Sequence, residues 1–145
     1  KTMNWVVKAL GIDDRLVFSP HPRDDRDYTT ILASARNRVI KTTLTSDEVL
    51  HGADVSISHY STMPMKSSLL DIPSISIIHG EDIRDLRREA SGSPMTLLGG
   101  VHEVNTEEQL LAGLSAGLSG QASIIKNSLS VDGMAAERVA QVVLA

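Results

Sequence analysis

The chain has 145 residues, no cysteine and a formal net charge of -4 from 14 basic and 18 acidic side chains. That length can bury a core without disulfides or a structural metal, and the lack of cysteine excludes thiol nucleophiles, disulfides and thiolate metal sites. The acidic balance argues against a broad basic surface for duplex nucleic acid; with 41% hydrophobic and 22% charged residues, and no apolar run near the roughly 20 residues that span a bilayer, the composition is that of one globular domain, and the absence of cysteine fits a reducing compartment, so a cytoplasmic address is expected.

No signal-peptide pattern opens the chain, and residues 4–11 read as the end of a helix stopped by Gly11, so the chain is expected to begin inside a larger protein. Residues 15–19 form an apolar run of strand length, and Pro20-His21-Pro22 ends it because proline continues neither a ladder nor a helix. Residues 24–36 carry acidic residues early and arginines late, as the helix dipole prefers, and predict a helix before a strand over 38–42. Ser46-Asp47-Glu48 predicts the cap of a brief helix ended by Gly52, and residues 53–58 then alternate as a strand does.

A helix over 62–70 tolerates Pro64 in its first turn and breaks at Asp71-Ile72-Pro73, ahead of a strand over 74–78. Residues 80–89 are highly charged and read as a solvated helix or loop; a weak strand over 95–98 and a Gly99-Gly100 turn follow. Thr106 and Gln109 make a capping pattern for a helix carrying Leu110, Leu111, Leu114 and Leu118, and Ser130 or Asp132 starts a last helix through Val139, Val142 and Val143. Strands alternating with helices predict an α/β, Rossmann-like domain: one mainly parallel sheet with helices on both faces and functional groups at the carboxyl ends of its strands.

Two segments are suited to chemistry at such an edge. His21, held between prolines at a strand end, can donate to a phosphate while Arg23 adds a fixed charge; its bland reading is an ordinary turn residue. Downstream, the strand ending at Ser58 empties into His59, Ser61 and Thr62, where hydroxyls and unpaired main-chain amides suit a phosphate, although a serine there also simply caps a helix. His102 after the Gly-Gly pair and the mixed charges from Asp82 to Glu89 are weaker candidates, with turn and solvated-face readings preferred. The histidines at 21, 51, 59, 79 and 102 lack metal-ligand spacing, so no metal or other cofactor is expected.

The segments Ser19-Pro20-His21-Pro22-Arg23, residues 53–62 and residues 69–77 together resemble the C-terminal half of GT-B-fold glycosyltransferases, most of all the bacterial sialyltransferase and CDP-glycerol glycerophosphotransferase branch. The match spans about residues 15 to 78 and departs from the common pattern at His59, where an aspartate often precedes the tyrosine, and at Thr62, where a second serine is frequent. The resemblance implies one half of a GT-B fold that grips a nucleotide-activated sugar or alcohol, with His21 and Ser61, Thr62 beside it, on the donor phosphates. It also implies a missing N-terminal acceptor domain, a role in surface polysaccharide synthesis, peripheral membrane contact in the full protein, and an isolated half that transfers nothing; it assigns no catalytic base. Two other readings stay open: half of a sugar-nucleotide 2-epimerase, with Asp54 and Glu103 as available carboxylates, and a non-catalytic nucleotide-binding or interaction domain.

Overall fold

Short elements follow one another along this chain, and some end at a local stop such as Pro20 after the first strand or Asp71 after the fourth helix. The computed structural model describes residues 2–21, 23–35, 38–59, 61–79, 101–120 and 133–143. In chain order these hold α1 (Thr2–Ala9), β1 (Leu16–Phe18), α2 (Thr29–Ser34), β2 (Val39–Lys41), α3 (Ser46–Leu50), β3 (Ser56–Ser58), α4 (Met63–Leu69), β4 (Ser74–Ile77), β5 (Val101–Val104), α5 (Glu107–Leu118) and α6 (Ala135–Val143). Every pairing is parallel: β1 with β2, and a second sheet in the order β3-β4-β5. The domain is thus α/β and Rossmann-like, but among the described residues the strands divide between two small sheets instead of one. No helix among the described residues is long and apolar enough to cross a membrane.

β4 is buried along its whole length, and alternation gives its two faces opposite chemistry. Ile75 and Ile77 join Val104, Leu110, Leu114 and Val6 in the main core, where α1 and α5 pack and where Trp5, Ala9, Leu16, Val55 and Ile57 contribute at the margin. Ser74 and Ser76 alternate to the other face, in register with Ser56 and Ser58 of β3. There α4 crosses the sheet with Pro64, Ser67 and Ser68 buried. Ser67 and Ser68 donate their hydroxyls to the carbonyls of Met63 and Pro64 one turn back, which satisfies them without a partner on the sheet. Ser74 Oγ is buried and has no hydrogen-bond partner among the described residues.

Several boundaries differ from expectation for identifiable reasons. The helix expected over 24–36 is present only as α2, because Asp24 and Asp27 accept hydrogen bonds from the main-chain amides of Arg26 and Thr29 and so favour turns over helix. Thr45, not Ser46, caps α3, and it does so in a complete capping box with Glu48. β5 was not anticipated at all: its middle residues His102 and Glu103 are polar, and only Val101 and Val104 are buried. The segment 80–89, the strand over 95–98, the Gly99-Gly100 turn and the residues Ser130 and Asp132 lie outside the described residues.

Two glycines one turn apart on α5 let it lie close to the sheet. A Cβ at Gly117 would sit 2.8 Å from Val55 Cγ2, whereas one at Gly113 would sit 3.2 Å from His102 Cδ2 and 3.3 Å from Ile75 Cδ1. Alanine gains about 1 kcal/mol of helix propensity at either position, while overpacking costs about 1–3 kcal/mol. The stiff β-branched Val55 cannot swing away, so Gly117→Ala is expected to lower stability, by up to about 2 kcal/mol, in urea denaturation. Gly113→Ala, which meets an exposed ring and the far end of an isoleucine, is expected to stay within about 0.5 kcal/mol of the parent.

α4 ends in a Schellman motif: Ile72 N donates to Ser67 O and Asp71 N to Ser68 O, with Asp71 in the left-handed region at φ 56°. An L-residue there carries a steric penalty that glycine lacks. Asp71→Gly is therefore expected to raise the unfolding free energy by about 0.5–1 kcal/mol, read from the same denaturation curves.

Candidate functional site

β1 ends at Phe18 and hands the chain to a turn built almost wholly from its own side chains. Asp24 N donates to His21 O at 2.8 Å, and Arg23 N donates to His21 Nδ1 at 3.1 Å, so the imidazole folds back over its own turn. Asp24 accepts from Arg26 at both carboxylate oxygens (Nε 2.7 Å, Nη2 2.6 Å) and from Tyr28 Oη at 2.6 Å. The side chain of Asp24 is only 11% exposed, although that of Arg26 is 74% exposed. The Tyr28 ring stands edge-on to Phe18 with centroids 4.8 Å apart, which ties the network to the end of β1. His21, Arg23, Asp24, Asp25 and Arg26 line an open depression of 490 Å³.

The hydrogen bonds from Arg26, then from Tyr28, hold the Asp24 carboxyl far below its ordinary value of 3.8. The Tyr28 phenol moves the other way, pushed up first by burial and then by its hydrogen bond to Asp24. Both directions follow from stabilising the carboxylate and the neutral phenol together.

The second group of candidates lies on the other sheet. β3 ends at Ser58, and His59 follows it immediately; β4 ends at Ile77, and His79 follows two residues later. Because β3 and β4 are parallel neighbours, their carboxyl ends deliver the two imidazoles side by side, with ring centroids 5.3 Å apart. His79 is in turn packed by α1: the Trp5 ring meets it edge-on at 5.1 Å, and Thr2 Oγ1 is hydrogen-bonded to its Nε2. His59 is exposed, on the solvent side of this column of rings.

Ser61 Oγ accepts from Met63 N at 3.1 Å, a local turn bond from the position before the N-cap and not a helix cap, and its O–H keeps a proton to donate. Thr62 occupies the position just before α4 with helical backbone angles and makes no side-chain cap bond; its side chain is exposed. His21 and Arg23 therefore share one depression beside β1, whereas His59, Ser61 and Thr62 share the edge of the three-stranded sheet. The residues missed from sequence are His79, Asp24 and Tyr28; for His79 the available signal was its place just after a strand, the same signal that singled out His59.

The weaker candidates separate. His102 is a β5 residue whose ring lies against Gly113 of α5, not a turn residue over a ligand. Asp54 precedes β3 at its amino end and Glu103 lies within β5, with β4 between the two strands, so they do not form an acid–base pair. Among the described residues no three His, Asp or Glu side chains converge as a metal site. No family model, no curated protein and no solved structure matches the chain.

The lowered Asp24 value sets a pH window. A carboxyl whose folded value is depressed contributes stability above its unfolded value, near pH 4, and loses that contribution as pH falls through the folded value. The Asp24 carboxyl carbon is thus expected to titrate by NMR well below the ordinary carboxylate range, and Arg26→Gln is expected to move that step upward.

Proposed function

We propose that this domain binds the phosphates of a nucleotide-linked donor, a sugar or an alcohol, as the donor half of a glycosyltransferase-like enzyme of surface polysaccharide synthesis. One observation carries the reading: β1, β3 and β4 each deliver a histidine just beyond the carboxyl end of a parallel strand, His21, His59 and His79 respectively. In open α/β sheets ligands bind beyond the carboxyl ends of the strands. Imidazole, the Arg23 guanidinium and the Ser61 and Thr62 hydroxyls are all donors suited to phosphate oxygens.

In this reading His21 with Arg23 beside β1, and His59 with Ser61 and Thr62 at the edge of the three-stranded sheet, are two candidate phosphate sites. Directed donors at those oxygens offset the charge that develops on a departing nucleotide diphosphate. No residue of this half is assigned as the general base, which the reading leaves to an N-terminal acceptor domain.

Calorimetric titration of the chain with CMP, CDP, UMP and UDP tests the proposal. One diphosphate is expected to bind more tightly than its monophosphate, and His21→Ala and Ser61→Ala are each expected to weaken it about tenfold, the worth of one charge-assisted hydrogen bond. Failure of every nucleotide to bind at millimolar concentration would sink the reading.

A further inference from the structure

We propose that Tyr28 and Asp24 are positioning residues that hold His21 in the tautomer donating from Nε2. The inference deepens the reading of His21 as a phosphate ligand and rests on it only for the consequence to binding. A ring nitrogen that accepts a hydrogen bond carries no proton, and His21 Nδ1 accepts from Arg23 N at 3.1 Å. The proton of the neutral ring is therefore on Nε2, the nitrogen directed away from the turn.

That geometry exists only while the turn is closed, and Asp24 closes it from both ends of its own structure. Its main-chain amide bonds His21 O, while its carboxylate is clamped by Arg26 and by the Tyr28 hydroxyl. Tyr28 is seated on Phe18 at the end of β1 and its ring also lies 5.7 Å from the Arg26 guanidinium. A continuous path thus runs from the strand through Phe18, Tyr28 and Asp24 to the His21 carbonyl, which closes the turn in which Arg23 N meets the imidazole.

Charge alone does not explain phosphate binding in this depression. Its rim holds Arg23 and Arg26 against Asp24 and Asp25, so the formal charges cancel. An anion has to be held by correctly aimed donors, and a His21 ring with its proton on Nδ1 would present a lone pair to the phosphate instead.

The test uses the full chain labelled with ¹⁵N. A long-range ¹H–¹⁵N correlation spectrum of the neutral ring is expected to show His21 Nδ1 unprotonated and Nε2 protonated. Tyr28→Phe keeps the ring on Phe18 and removes only the hydroxyl; it is expected to shift His21 toward a mixture of tautomers while leaving the His59 resonances unchanged. The same variant is expected to weaken CDP and pyrophosphate about tenfold. Protonated Nδ1 in the parent chain, or an unchanged His21 pattern in Tyr28→Phe, overturns the proposal. Should the pattern respond as expected while neither CDP nor pyrophosphate binds the parent chain, the positioning role stands and the phosphate-site reading falls.

Discussion

The arrangement depends on the register of β4, which is paired on both edges and covered on both faces. Its isoleucines supply the apolar contacts that hold α1 and α5, and its serines leave room for α4. A slip of one residue would exchange the two sets, driving hydroxyls into the main core and isoleucines against α4, so alternate pairings are strongly disfavoured. The same register aligns the carboxyl ends of β3 and β4 and therefore sets His59 beside His79. Core packing and site geometry are in this sense one constraint.

The two candidate groups are held by different means. His79 is fixed by packing: a tryptophan edge, a threonine hydroxyl and the end of a buried strand surround it. His21 lies in a proline-bounded turn with little core around it, and its order comes from hydrogen bonds centred on one carboxylate. Ion pairs at an exposed site contribute little on average, but here two guanidinium contacts and a phenol converge on a carboxylate whose own side chain is mostly covered. The network is best understood as geometric control of a loop and not as a large contribution to global stability.

Much of this architecture was legible in sequence wherever the signal was local. α1 ends just before Gly11, β1 ends just before Pro20, and Thr106 with Gln109 starts α5, with Thr106 Oγ1 accepting from Gln109 N. The charge gradient of residues 24–36 misled because aspartates that suit a helix start also bond nearby amides in turns. β5 escaped notice because His102 and Glu103 interrupt its apolar pattern, and its place beside β4 depends on contacts between residues far apart in the chain. The packing of Trp5 and Thr2 around His79 joins the first helix to the fourth strand, a relation that no spacing rule encodes. Of the candidate site, His21 with Arg23 and Ser61 with Thr62 were legible as groups at strand ends; their ligand was not, since one α/β architecture hosts many functions.

The serine-lined face of the second sheet has a consequence for how the molecule breathes. Serine hydroxymethyl groups gain little on leaving water compared with the isoleucines of the opposite face, so α4 adheres more weakly than α5. Its buried Pro64 and its link to α3 through Lys66 and Asp47 are modest attachments. Amide protons in α4 should accordingly exchange through a local opening well short of global unfolding, whereas those of α5 and β4 should exchange with the whole domain. Ser61 and Thr62 stand at the hinge of that opening, which makes amide protection along α4 a remote gauge of whatever occupies the strand ends before it.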